Sequence, residues 1–125
     1  MKVRIYYHHT DCGGVVYYAN YLKFLEEART EFLEEHGLFM KDLIREGVLF
    51  VVARQEIDYK LPAFYGDVLE ITTRLIRLQG AKMEFEYEIS NQNSKVVSLA
   101  KTLMVSVDKN LRPQGIPEAV AKKLT

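Results

Sequence analysis

The densest group of chemically competent side chains lies near the amino terminus, in the run Tyr7-His8-His9-Thr10-Asp11-Cys12-Gly13-Gly14. The carboxylate of Asp11 stands beside two glycines and just before an apolar helical pattern. Glycines let a ligand approach the backbone, and the free N–H groups at a helix start stabilise negative charge. This combination is typical of a base next to an oxyanion hole. The same residues are compatible with a purely structural role, in which Asp11 caps a turn that Gly13 and Gly14 permit.

Two other kinds of chemistry are suggested by the same run. His8 and His9 with Asp11 resemble metal ligands, but consecutive strand residues point to opposite faces and no further ligand spacing follows in the chain. Cys12 next to Asp11 suggests a thiol nucleophile, but near neighbours in an extended loop seldom converge as catalytic groups must. The sequence therefore favours carboxylate chemistry, with neither a metal nor a cofactor.

The elements that must position this run follow a simple order. Val3 to His8 is rich in β-branched and aromatic residues and predicts a strand. Apolar residues recur at helical spacing from Tyr21 to Leu33, with Gly37 as a C-terminal cap, and a shorter helix is predicted from Met40 to Glu46. One long helix among five strands predicts an α+β fold, an antiparallel sheet curled around that helix. The four remaining strands are predicted at Val48–Tyr59, Val68–Leu78, Ala81–Asn91 and Lys95–Val107.

Length, charge and cysteine content exclude several classes of protein. The 125 residues predict one domain, residues 1–125, and 17 basic against 17 acidic residues leave no surplus charge for nucleic-acid binding. Cys12 is the only cysteine, the chain starts without a secretion signal, and the longest apolar run, Val48 to Ala53, is too short to span a bilayer. A cytoplasmic protein without transmembrane segments is expected. Uncovered sheet edges predict a homo-oligomer.

Two segments resemble a known family. The residues TDCGGVVYYANYLKFLEEAR, from Thr10 to Arg29, are similar to the signature of the 4-hydroxybenzoyl-CoA thioesterase family, in particular its bacterial acyl-CoA thioesterase branch linked to the Tol-Pal genes. The stretch IDYKLPAFYGDVLEI, from Ile57 to Ile71, resembles the family's strand, Pro-Ala bulge and return strand. The resemblance implies the hot-dog fold, a five-stranded sheet curled around one long helix, assembled as dimers that often pair into homotetramers.

The resemblance also implies roles for individual residues. Asp11 matches the catalytic carboxylate, acting either as general base on water or as nucleophile on the thioester carbonyl. Tyr18 matches the residue whose backbone N–H is the oxyanion donor, although many relatives in the bacterial branch have His there. The expected substrate-binding residues are Tyr7 and Asn20 in the pocket, Gly14 where a ligand nears the backbone, and Lys82, which would hold coenzyme A phosphates across the subunit boundary.

The function predicted from these residues is hydrolysis of an acyl-CoA thioester to the free acid and CoA, with acyl-CoA or an acyl carrier protein as partner. A dehydratase of the same fold relies on a His and an acidic residue in a different motif. A non-catalytic module that binds acyl-CoA or acyl carrier protein is the alternative outside enzymology. Aromatic, short aliphatic and long-chain acyl groups all fit the sequence.

Overall fold

A five-stranded antiparallel sheet and three helices make up the computed structural model, which describes residues 1–125. The sheet order is β1-β3-β4-β5-β2, with every neighbouring pair antiparallel. The predicted α+β architecture is therefore confirmed. The strands are β1 (Lys2–Arg4), β2 (Leu49–Tyr59), β3 (Val68–Gln79), β4 (Lys82–Ser90) and β5 (Val96–Val107), and the helices are α1 (Asn20–Glu35), α2 (Met40–Arg45) and α3 (Glu118–Leu124).

The long helix α1 packs against the inner face of the curled sheet. Phe24, Leu25 and Ala28 of α1 are buried, as are the alternate residues Met83, Phe85, Tyr87 and Ile89 of β4. The period-two pattern of β4 therefore matches its one apolar face. No helix of the structure combines the length and the apolar character needed to cross a membrane.

The end of α1 has the predicted glycine cap. Gly37 has a φ of 77°, in the left-handed region that favours glycine. The N–H of Leu38 donates to the carbonyl of Leu33 at 2.9 Å, and the N–H of Gly37 donates to that of Glu34 at 2.9 Å. These two bonds satisfy carbonyls that the helix end leaves free.

The predicted strand from Val3 to His8 is wrong in its second half. β1 covers only Lys2–Arg4, and a 3-10 turn runs from Tyr7 to His9. The N–H of Tyr6 donates to His9 Nδ1 at 2.9 Å, and the N–H of His9 donates to the Tyr6 carbonyl at 3.0 Å. These local bonds replace the strand pairing that β-branched and aromatic composition alone predicts.

The two edges of the sheet differ. β1 has three residues, whereas β2 has 11, and β2 pairs with β5 on one side only. Val51, Val52 and Tyr59 of β2 are exposed. A long, uncovered edge strand with exposed apolar residues is a surface on which a further strand can pair.

Candidate active site

The Asp11 carboxylate uses one oxygen to shape its own loop. Oδ1 accepts a 2.8 Å hydrogen bond from the N–H of Gly13, the pattern of an Asx turn. Oδ2 has no hydrogen-bond partner in the chain, and Asp11 is exposed. Gly14 follows with a φ of 79° and no atom within 4 Å of where its Cβ would be. Asp11 therefore does stabilise the turn, and it keeps a second oxygen free for chemistry.

Backbone bonds hold this loop against the rest of the fold. The N–H of Val16 donates to the carbonyl of Ala63 at 2.8 Å, and Val15 forms an isolated bridge with Phe64. The Pro-Ala segment between β2 and β3 therefore anchors the loop. On the other side, Asn20 Nδ2 donates to the carbonyl of His9 at 2.8 Å.

The backbone N–H of Tyr18 is a free donor in the segment that joins the Asp11 loop to α1. Tyr18 lies in the turn immediately before α1, two residues earlier than the first helical residue. The N–H of Tyr17 donates to His9 and that of Asn20 donates to Tyr17, but the N–H of Tyr18 has no acceptor in the chain. An unpaired N–H at a helix start can stabilise a developing negative charge.

The rings of Tyr17, Tyr18 and Tyr59 pack against one another close to this donor. The ring centroids of Tyr17 and Tyr18 are 4.9 Å apart, and those of Tyr18 and Tyr59 are 6.4 Å apart at 90°. Tyr59 Oη donates a 3.2 Å hydrogen bond to the carbonyl of Tyr18. Burial and the Tyr18 phenol raise the pKa of Tyr59, so this hydroxyl keeps its proton. No pattern in the sequence predicts this role of Tyr59, because its contact with Tyr18 joins residues that are 41 positions apart.

His9, the second of the two adjacent histidines, has a structural role. His9 Nδ1 accepts the Tyr6 N–H, and the His9 ring packs edge-on against Phe24 at 5.2 Å. The pKa of His9 is lowered by burial and further by His8 and Lys23. A neutral His9 is therefore the form that the fold favours. No group of three or more His, Cys, Asp or Glu side chains converges in a metal-binding arrangement.

The structure brings most of the expected site residues together. Asp11, Gly14, Tyr18 and Asn20 share one loop and the turn that leads into α1. The amide nitrogen of Asn20 is already engaged with the His9 carbonyl, so Asn20 braces the loop.

Tyr7 and Lys82 stand apart from that group. Tyr7 is 78% exposed beside the ring of Tyr65. Lys82, the first residue of β4, pairs with Val105 of β5, and Val105 pairs with Val51 near the start of β2. Tyr59, beside the Asp11 loop, is at the other end of β2, where it pairs with Ser98. Because these positions are at opposite ends of the sheet, Lys82 and Asp11 are far apart within one chain.

A carboxylate with a free oxygen, a close backbone turn and an unpaired N–H before a helix occur together in this loop. These groups are what hydrolysis of an activated acyl carbonyl requires. The chain belongs to the thioesterase-like superfamily, whose family model matches residues 5–124.

The similarity to individual proteins extends over most of the chain. The chain is 39% identical over 119 residues to the acyl-CoA thioester hydrolase YbgC of Escherichia coli O6:H1, covering 94% of this chain and 89% of that one. A hypothetical protein from Aquifex aeolicus superposes with a TM-score of 0.94 at 30% identity, covering 100% and 98% of the two chains. A 4-hydroxybenzoyl-CoA thioesterase variant with its substrate has the same fold, with a TM-score of 0.91 at 20% identity over 100% and 96%. The predicted hot-dog fold and the predicted enzyme class, an acyl-CoA thioesterase, are confirmed.

Proposed function

We propose that this chain hydrolyses acyl-CoA thioesters with Asp11 as the catalytic carboxylate and the backbone N–H of Tyr18 as the oxyanion donor. The observation that carries the proposal is that one anchored loop holds a hydrogen-bond acceptor and a hydrogen-bond donor that are both without partners. Asp11 Oδ2 has no partner, and the Tyr18 N–H has no acceptor. The fold satisfies neither group, so both can serve a substrate.

The proposed reaction needs only these groups and water. Asp11 either takes a proton from the water that attacks the thioester carbonyl, or attacks that carbonyl itself to form an anhydride that water then hydrolyses. In both cases negative charge develops on the carbonyl oxygen, where the Tyr18 N–H stabilises it. Collapse of the resulting tetrahedral intermediate breaks the C–S bond, and the departing CoA thiolate takes up a proton, from the protonated Asp11 in the general-base route and from water in the nucleophilic route. The general-base route releases the free acid at this step, whereas the nucleophilic route leaves the anhydride, which water then hydrolyses to the free acid and the Asp11 carboxylate. No metal or cofactor takes part.

The working unit in this proposal is a homodimer formed through β2. The edge of β2 presents unpaired backbone groups along 11 residues, which a second copy satisfies by antiparallel pairing. Such pairing puts the Tyr59 end of one strand beside the Leu49 end of the other. Lys82 of the second copy then lies at the same end of the joined sheet as Asp11, consistent with a role in holding CoA phosphates.

We place residues 1–125 in one catalytic domain and in the bacterial branch associated with the Tol-Pal genes, supported by the similarity to YbgC. The exposed free thiol of Cys12 fits a reducing, cytoplasmic compartment. Pairing of dimers into a tetramer, and acyl carrier protein as a second carrier of the acyl group, follow from the family resemblance.

A direct assay tests the activity. The protein is mixed with acyl-CoA thioesters of different chain lengths, and the released CoA is measured with a thiol-reactive dye. We expect multiple turnovers per subunit, unaffected by EDTA. Stoichiometric binding without thiol release would favour the alternative, a non-catalytic acyl-CoA or acyl-carrier binding module. Light scattering at micromolar concentration should give a mass of at least twice the 14.5 kDa of one chain.

A further inference from the structure

A partly buried arginine on α1 has no counter-ion. Arg29 Nη1 donates to Tyr87 Oη at 3.1 Å and to Thr102 Oγ1 at 3.3 Å, and both partners are neutral and buried. No carboxylate oxygen lies within salt-bridge distance of the guanidinium. Burial raises the pKa of Tyr87 while Arg29 opposes the shift, so the phenol stays protonated. Arg29 therefore forms no ion pair within the chain.

The unused donors of Arg29 face open space. Nε and Nη2 have no acceptor in the chain. Ser106 Oγ is the one fully buried side-chain polar atom without a hydrogen-bond partner. Since Nε and Nη2 of Arg29 also have no partner, neither of them is fully buried. A guanidinium presents its donors as a planar fork that fits a carboxylate. A ligand carboxylate that reaches Arg29 can therefore accept one hydrogen bond from Nε and one from Nη2.

The open space is an apolar cavity of about 260 Å³ between α1 and the inner face of the sheet. A dry cavity of about 150 Å³ accepts a benzene molecule, so this one has room for a chain of about six carbons. Glu26, the only carboxylate on its wall, is exposed and accepts the Thr30 hydroxyl at 3.0 Å. Its apolar lining includes Leu33, Met40, Phe50, Met83, Phe85 and Met104.

The strand register relates this cavity to the catalytic loop. Phe50, at one end of the cavity, is nine residues before Tyr59 on β2, roughly 30 Å along the strand. Gln55, which Thr102 Oγ1 contacts at 2.7 Å, marks the level of Arg29 near the middle of β2. When two copies pair antiparallel through β2, the Tyr59 end of one meets the Phe50 end of the other. In such a dimer the loop that carries Asp11 in one copy lies toward the Phe50 end of its neighbour's cavity, and Arg29 lies farther along that cavity.

We infer that the enzyme prefers acyl groups that carry a carboxylate at the end remote from the thioester, the monothioesters of dicarboxylic acids, and that Arg29 binds this carboxylate. The inference rests on the proposed function and dimer. An acyl chain entering from the catalytic loop passes the apolar lining and ends at Arg29. A chain ending in a methyl group would put an apolar end against an unpaired charge, which is unfavourable.

The test compares two substrates of equal length, adipoyl-CoA and hexanoyl-CoA. We expect wild-type kcat/KM to be at least about tenfold higher for adipoyl-CoA, because only its remote carboxylate pairs with Arg29. Arg29→Gln should abolish or reverse this preference, and Arg29→Lys should keep part of it. Arg74→Gln, which removes a cation paired with Glu86 away from the cavity, is the matched control and should keep the preference.

Affinity measurements separate this inference from the proposed activity. Non-hydrolysable thioether analogues of the two substrates are titrated into the wild-type protein by calorimetry. Tenfold tighter binding of the dicarboxylic analogue supports the inference, whether or not the thioesters are hydrolysed. Absence of hydrolysis of both thioesters would count against the proposed function alone. Equal affinity, a preference for the hexanoyl analogue, or no binding of either analogue overturns the inference, and hydrolysis of hexanoyl-CoA would leave the proposed function standing.

Discussion

The phenolic hydroxyl of Tyr59, the last residue of β2, donates a 3.2 Å hydrogen bond to the backbone carbonyl of Tyr18. The Tyr59 ring also lies 5.5 Å from that of Tyr21, in the first turn of α1. The exposed edge strand is thereby connected to the residue whose N–H is free. Tyr59 therefore links the edge proposed for dimer pairing to the residue proposed as the oxyanion donor.

Tyr59→Phe should lower kcat about three- to tenfold and leave KM nearly unchanged. The variant keeps the aromatic packing and removes only the bond to the Tyr18 carbonyl, and one hydrogen bond contributes roughly 0.5–1.5 kcal/mol. Steady-state kinetics with one acyl-CoA provide the measurement. Tyr65→Phe, which changes an exposed tyrosine without a hydrogen-bonded hydroxyl, is the control. A raised KM at unchanged kcat would assign Tyr59 to substrate binding instead.

Asp11→Asn should reduce kcat about 10²- to 10⁴-fold while the protein stays folded. The amide oxygen can still accept the Gly13 N–H, so the turn survives. An amide cannot take a proton from water or attack a carbonyl. Circular dichroism checks the fold and the thiol assay checks turnover, with Asp58→Asn, an exposed β2 carboxylate, as control. Retention of more than a third of wild-type kcat would exclude Asp11 as the catalytic group.

Tyr18→Pro should abolish turnover in a folded protein, whereas Tyr18→Phe should stay within a few-fold of wild type. Proline removes an N–H that the fold does not use, so no internal bond is lost. Loss of one oxyanion donor costs about 10²- to 10³-fold in kcat. Proline also restricts Tyr17, so circular dichroism must precede the kinetics. Equal loss in both variants would show that the side chain, and not the N–H, is required.

Acidification should destabilise the protein through His9. Its folded-state pKa lies below the ordinary value of about 6.5, so stability is fully present above that value and is lost as the pH falls toward the folded pKa. Protonation also removes the acceptor of the Tyr6 N–H. Melting temperatures of wild type and His9→Gln are compared between pH 8 and pH 5. Wild type should lose more stability than the variant over this interval, and parallel curves would refute the assignment.

Lys82→Glu should raise KM for acyl-CoA more than it lowers kcat, since a lysine that holds a remote phosphate contributes to binding in ground and transition states alike. The charge change matches that of Lys95→Glu, in the turn between β4 and β5, which serves as control. A lowered kcat at constant KM would remove Lys82 from the CoA site.

The order of the elements and the proposed catalytic loop could be predicted from the sequence because both depend on local patterns. Alternation along β4, the helical spacing of α1 and the glycine after it each report a short-range preference. Asp11, Gly14 and Tyr18 lie within eight consecutive residues, so the loop could be recognised before its fold was known.

Tertiary structure alone decided the contacts that join distant segments. Tyr59 reaches Tyr18 across 41 positions of sequence, and Arg29 reaches Thr102 across 73. Side-chain partners of this kind follow from strand register and helix placement, which the packing of the whole chain determines, and no local pattern encodes them.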